Sequence, residues 1–378
     1  MRSLIAACAA VVVVVSMHTS VAVRAAEEFT IPLLFPITGI LALEGGSQRN
    51  GALLAVENPP EGIKINYEVV DTGSSAKGAA TALEKVLSGG NVTAVGASIF
   101  GTEMLAMMPI ALDYKVPLVT MSGTAKITEL GNPYVLRFFP SDAVVKVAHA
   151  RYAVEELGKT RPAIIFNSTA YGQSGREHLV KNFKKLGIEP VFEEGLDVKV
   201  KDMLPVLSRA VGANPDVLII HMHSGKAALL VKQALAMGLD LPIVSGSTMH
   251  QPTTAALLEP SELEGVCAES GSSPVSGGTP ELEAWLAQYR AAYDSEPDAF
   301  GLGQYDGLMM VLEAIRNGAR SAEDVRNALS SMTYEGLAMT YKSDGNGNFA
   351  HSAVIVCYDG TSRIPEIVKR YENITGVL

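Results

Sequence analysis

A chain of 378 residues with 48% hydrophobic residues has material for more than one core, and the usual domain size divides it in two. Its formal net charge of −10 and the lack of any Lys/Arg block exclude a phosphate-tracking surface, so nucleic acid is not an expected partner. Beyond the N-terminal segment no stretch of about eighteen apolar residues runs without a charge, which excludes a membrane-spanning helix there.

Met1 to Ala26 opens with Arg2, continues as an apolar run from Leu4 to Val15 and closes on small residues. The run is too short to span a bilayer. Ser20-Val21-Ala22 or Val23-Arg24-Ala25 supplies a small-residue cleavage pattern, so residues 1–25 read as a secretory signal and the remainder as an exported, periplasmic chain. Ile5-Ala6-Ala7-Cys8 resembles a lipidation box, but most of the hydrophobic run follows Cys8, which argues against lipidation. Processing leaves Cys267 and Cys357, both in β-like stretches; whether they meet is open at this level.

From there strand and helix signals alternate. Phe29 to Phe35 reads as a strand, Gly46 to Glu57 as a helix, Ile63 to Asp71 as a strand and Ala76 to Ser88 as a helix. Ala94 to Ala97, Thr102 to Tyr114 and Val116 to Thr120 then form a βαβ unit, the helix marked by Met104, Leu105, Met108, Ala111 and Leu112. The series goes on through strands at Val135 to Phe139, Ala163 to Phe166, Pro190 to Glu194, Val217 to Met222 and Ile243 to Ser245. Helices at Ala143 to Leu157, Ser174 to Leu186, Met203 to Val211 and Lys226 to Met237 separate them. After the turn-rich Gly271 to Thr279 come helices at Pro280 to Tyr293 and Gly303 to Asn317, then a turn at Tyr341 to Gly347 before a last strand. Such alternation argues for an α/β fold of parallel sheets with helices on both faces.

In such sheets, ligands collect at the carboxyl ends of strands, where loops offer free N–H groups. Ser98 to Thr102 and Met121 to Thr124, which end the two strands of the βαβ unit, are small, polar and nearly uncharged. Two such loops can hold a carboxylate by hydrogen bonds alone. There is no G-x-S-x-G elbow, no G-x-x-x-x-G-K-[ST] phosphate loop and no H-E-x-x-H, and the glycines at Gly96 and Gly101 are not followed by the rest of a dinucleotide fingerprint. Neither an enzyme nor a cofactor is expected. His221 and His223 share a strand face but have no third ligand of matching spacing, so no metal is expected.

Pro36-Ile37-Thr38-Gly39 with Gly45 and the helix SQRNGALLAVE, Val69-Val70-Asp71, Lys115-Val116-Pro117-Leu118-Val119, Tyr171-Gly172-Gln173-Ser174-Gly175 and Gln304-Tyr305-Asp306-Gly307 resemble, in order and spacing, the leucine/isoleucine/valine-binding proteins of ABC importers. The resemblance covers nearly the whole chain after the signal. It implies the class I two-lobed periplasmic-binding-protein fold, each lobe a doubly wound, mostly parallel sheet, with three hinge crossings near Pro140 to Asp142, Ser270 to Ser273 and Thr340. Residues 26–141 and 272–339 then form one lobe, and 142–271 and 340–378 the other. Carried over, the carboxylate site falls on Phe100, Gly101 and Thr102 and on Ser122, Gly123 and Thr124, with Tyr171 covering the ligand from the second lobe. Two positions depart from the family: His223 stands where a tyrosine is usual, and Ser247 where an acid pairs with an α-ammonium. Glu44 falls on a first-lobe loop position that often carries an aromatic ligand contact. The implied function is capture of a small carboxylate-bearing solute, by a monomer that closes around it and delivers it to a membrane permease. Aromatic or aliphatic acids lacking an amine are the alternative solutes, and a ligand-sensing receptor of the same fold the alternative role.

Overall fold

The computed structural model describes residues 26–374, so the segment read as a signal lies outside the described residues. In chain order its first part runs β1 (Glu27–Thr30), β2 (Leu33–Phe35), α1 (Ala42–Val56), β3 (Ile63–Asn66), β4 (Val69–Asp71), α2 (Ala76–Ser88), β5 (Val95–Ala97), α3 (Gly101–Tyr114), β6 (Leu118–Thr120), α4 (Lys126–Glu129) and β7 (Val135–Arg137). A five-stranded sheet has the order β4-β2-β5-β6-β7, parallel throughout. The strands expected at Phe29–Phe35 and Ile63–Asp71 are each divided. Pro32 has no N–H to give to a ladder, and on either side of it β1 pairs with β3 while β2 pairs with β4 and β5. The helix expected from Gly46 starts earlier, at Ala42.

The chain then enters a second series: α5 (Asp142–Arg151), β8 (Pro162–Asn167), α6 (Ala170–Lys185), β9 (Phe192–Leu196), α7 (Leu204–Gly212), β10 (Val217–His221), α8 (Ser224–Ala236), β11 (Ile243–Ser245), α9 (Pro252–Ala255) and β12 (Val266–Ser270). It returns through α10 (Pro280–Tyr293), α11 (Ala299–Arg316), α12 (Ala322–Leu329) and the hairpin β13 (Thr333–Glu335) and β14 (Thr340–Lys342). It ends in β15 (Ala353–Cys357) and β16 (Glu366–Tyr371), two strands where one is expected. They extend the second sheet, ordered β16-β15-β12-β11-β10-β8-β9, and both run antiparallel to their neighbours. Among the described residues no helix is long and apolar enough to cross a membrane.

Each sheet is covered on both faces. Leu34, Leu83, Met104, Met107 and Met108 pack on one side of the first sheet, and Phe35, Phe138, Phe300 and Phe349 on the other. Tyr341, Phe349 and Ala350 belong to that second cluster, and Phe349 stacks on Phe138 at 4.6 Å. The last passage between the sheets therefore follows Ala350, later in the chain than the Thr340 expected. Cys267 and Cys357, opposite one another in the β12–β15 register, are joined as a disulfide.

Candidate functional site

The loops after β5, β6, β7, β10 and β11, with the first turns of α1, α6 and α11, close on one cavity. Leu41, Ile99, Phe100, Met121, Phe139 and Phe300 form its apolar walls, and Glu44, Gly123, Tyr171, His223, Ser247 and Thr248 its polar ones. The free space is about 20 Å³, room for a single water, so a solute enters only when the two sides part. A groove of about 870 Å³ lies elsewhere, among Ser141, Gly271 and His351; the loops after β5, β10 and β11 do not reach it.

The two loops singled out in the sequence meet face to face. A Cβ on Gly101 would lie 1.9 Å from Thr124 Oγ1, so only glycine admits this approach. Ser122 Oγ and Thr124 Oγ1 are buried with no hydrogen-bond partner. Thr102 Oγ1 accepts from the Ala170 N–H at 3.4 Å, a contact from the first sheet's loops to those of the second. Behind the turn stands Arg137, which sequence reasoning passes over. Its Nη1 donates to the carbonyl oxygens of Ser122, Gly123 and Thr124 at 3.2, 3.4 and 2.8 Å.

Across the cavity, Tyr171 OH lies 3.2 Å from Ser247 Oγ, and its ring packs on His221 and His223 at 3.9 and 5.4 Å between centroids. His221 Nε2 faces the Tyr171 carbonyl at 3.2 Å, so that nitrogen carries the proton. His223 Nε2 meets Thr169 Oγ1 at 3.1 Å. Burial holds His221 well below the usual imidazole range and brings His223 to about 4, so both rings are neutral near pH 7. Among the described residues no group of three or more His, Cys, Asp or Glu is placed to hold a metal.

Glu44 is not the loop acid expected. It lies in the first turn of α1 and is 2% exposed. One carboxylate oxygen accepts from the Ser224 N–H at 3.0 Å, at the start of α8; the other has no partner. Burial raises its pKa, since no cation lies against it to offset desolvation. Asp142, next to the Gly123 turn, is pushed up to about 7 by burial, against the pull of Lys146. Deeper still, Lys146 is bonded to Glu269, whose other oxygen meets His149 Nδ1 at 3.0 Å.

Of the ten residues expected at the site, Glu44, Phe100, Gly123, Tyr171, His223 and Ser247 line the cavity. Gly101, Thr102, Ser122 and Thr124 sit in the same loops without lining it. Leu41, Ile99, Met121, Phe139, Thr248 and Phe300 also line it and carry no chemical signature in the sequence. Ile99 and Met121 stand in the two loops already marked, Ser98 to Thr102 and Met121 to Thr124, and Phe139 ends the strand expected at Val135 to Phe139.

A model of one family, the periplasmic binding proteins, matches residues 28–361. The chain belongs to that family. The periplasmic binding proteins related to it include the leucine-, isoleucine-, valine-, threonine-, and alanine-binding protein of Pseudomonas aeruginosa, 24% identical over 318 residues, 82% of this chain and 84% of the relative. Among solved structures, the leucine binding protein LivK of Thermotoga maritima superposes with a TM-score of 0.84 at 24% identity, covering 91% of this chain and 99% of that one. A solute binding protein of an ABC transporter from Rhodopseudomonas palustris, in complex with 3,4-dihydroxy benzoic acid, gives 0.83 at 20%, covering 92% and 98%. This periplasmic binding protein is thus a binding protein, not an enzyme, and its two sheets are the two lobes of that fold.

Proposed function

We propose that the protein captures a small carboxylate-bearing solute of the amino-acid class in the periplasm, closes its lobes around it and presents it to the permease of an ABC importer. The observation that carries this reading is a set of unspent polar groups at an apolar cavity. Ser122 Oγ and Thr124 Oγ1, in the turn that brings Gly123 to the cavity wall, have no partners, and neither has the second carboxylate oxygen of Glu44, which lines the cavity. A solute bearing a carboxylate and an ammonium satisfies both, and its apolar part packs against Leu41, Ile99, Met121 and Phe300. Glu44 then replaces the acid missing at Ser247, because a buried ammonium without a carboxylate is costly.

A second reading is favoured by the hydroxyl at Ser247 and the ring walls of Phe100, Phe139 and Phe300: an aromatic acid without an amine, whose polar tail meets Ser247 and His223. The relative bound to 3,4-dihydroxy benzoic acid lends it support. Calorimetric titration of branched-chain amino acids, their deaminated acids and simple aromatic acids separates the two. Glu44→Gln is expected to weaken an α-amino acid at least tenfold. Tight α-amino acid binding that persists in Glu44→Gln removes Glu44 as the ammonium partner, and binding of the deaminated or aromatic acids alone decides for the second reading.

A further inference from the structure

Arg137 closes β7 with a guanidinium that is 1% exposed, and among the described residues all of its hydrogen-bond partners are neutral. Besides the three turn carbonyls they are Thr128 Oγ1 and Asn348 Oδ1, which takes Nε at 3.1 Å and Nη2 at 2.6 Å. The acids acting on it, Asp142, Glu129 and Asp344, form no ion pair with it. Asp344 acts through Asn348, accepting from its side-chain amide at 2.7 Å and its backbone N–H at 3.0 Å, which fixes the amide with its oxygen towards Arg137. A cation buried at this depth without a carboxylate is a costly arrangement.

In a trans peptide the C=O and N–H of one plane point in opposite directions, and the described residues contain no cis bond. Three consecutive carbonyls drawn to one guanidinium therefore turn the N–H groups of Gly123, Thr124 and Ala125 to the opposite face. The Ala125 N–H is taken by Ser174 Oγ at 3.0 Å. The Gly123 and Thr124 N–H groups have no acceptor among the described residues, and Gly123 lines the cavity. Successive N–H groups aimed at one point make an anion-binding nest, and here a fixed positive charge stands directly behind it.

We propose that Arg137 is the positioning residue that makes the Ser122–Thr124 turn selective for an anion: it orients the peptide dipoles towards the cavity and adds its own field, so that the site takes a carboxylate in preference to the isosteric neutral amide. Asn348 holds the guanidinium in that pose. This inference rests on the carboxylate reading given above and adds to it the group that creates the preference.

The test uses the smallest matched pair of probes, acetate and acetamide, titrated into the full protein with the Gly123 and Thr124 amide resonances as readout. In the parent protein acetate is expected to shift both resonances and to bind at least tenfold tighter than acetamide. Arg137→Lys keeps a charge but has no Nε or Nη2 for Asn348 and Thr128 to hold in place, and should lower acetate affinity about tenfold. Asn348→Ala, in a surface turn, should lower it about threefold to fivefold, with acetamide changed less than twofold in both variants. If Arg137→Lys does not fold, Asn348→Ala carries the test. Resonances that acetate leaves unmoved in the parent protein overturn the carboxylate reading and this inference with it. A parent response with the acid-over-amide preference intact in the variants overturns the role of Arg137 alone.

Discussion

Thr124 carries a hydroxyl that the protein itself leaves unused: it is 1% exposed, and its oxygen has no partner. A group of this kind makes no hydrogen bond in the free fold and is left with one to give to a ligand under the function proposed above. Thr124→Ala is therefore expected to weaken carboxylate binding by about 1.5 to 3 kcal/mol, the range for a hydrogen bond to a charged group. The melting temperature of the free protein should hardly move, because no contact made by Thr124 Oγ1 is lost. Calorimetric titration beside a thermal melt checks both halves, and unchanged affinity removes Thr124 from the site. Glu44 shows the opposite case at the same scale. One carboxylate oxygen already accepts from Ser224 across the cavity, so its substitution touches lobe closure as well as ligand affinity.

At the scale of elements, the alternation of apolar runs placed the central strands and the long helices, because a buried parallel strand and an amphipathic helix leave different periods in the sequence; it passed over the short helices α4, α9 and α12 and the β13–β14 hairpin. What it missed has particular causes. β1 and β2 merge because Ile31-Pro32 continues the apolar run while removing a ladder donor. β16 alternates exposed and half-buried residues, with only Tyr371 buried, and so lacks the continuous apolar run of a central strand. Glu44 looked like a loop acid because α1 opens before its sequence becomes regular. The hydroxyl-rich turns were legible since their chemistry lies in their own letters. Arg137 was not, because its significance comes from Asn348, a residue 211 positions later in the chain. α1 and α11 supply a test of packing: a Cβ on Gly51 would lie 1.8 Å from the Gly301 carbonyl oxygen. Backbone meets backbone there, and no side chain can yield. Gly51→Ala is expected to cost roughly 1 to 3 kcal/mol by overpacking, read as a lower midpoint in urea. A midpoint equal to the parent's contradicts this crossing.

For the molecule as a whole, hydrogen bonds join the two lobes at several points around the cavity. Ser224 donates to Glu44, Ala299 to His250 at 3.0 Å, Gln251 to Asp298 at 2.6 Å and Ala125 to Ser174. With about 20 Å³ between the walls, a solute cannot enter this arrangement, so these contacts must open and re-form during capture. Small-angle scattering is expected to show a smaller radius of gyration with a tightly bound solute than without one. Tight binding at constant radius contradicts hinge closure.

The Cys267–Cys357 bond has a consequence in time. The covalent ring it closes contains α10 to α12 and the β13–β14 hairpin, which pack with the first lobe, although both cysteines belong to the second. Cys267 precedes its mate by 90 residues in the chain, and the segment between them supplies helices bound for the other half of the molecule. The thiols can reach their native apposition only after β15 has docked beside β12. Oxidation of this pair thus dates that docking, and a thiol-trapping reagent added while the reduced chain refolds would record the moment at which the two strands meet.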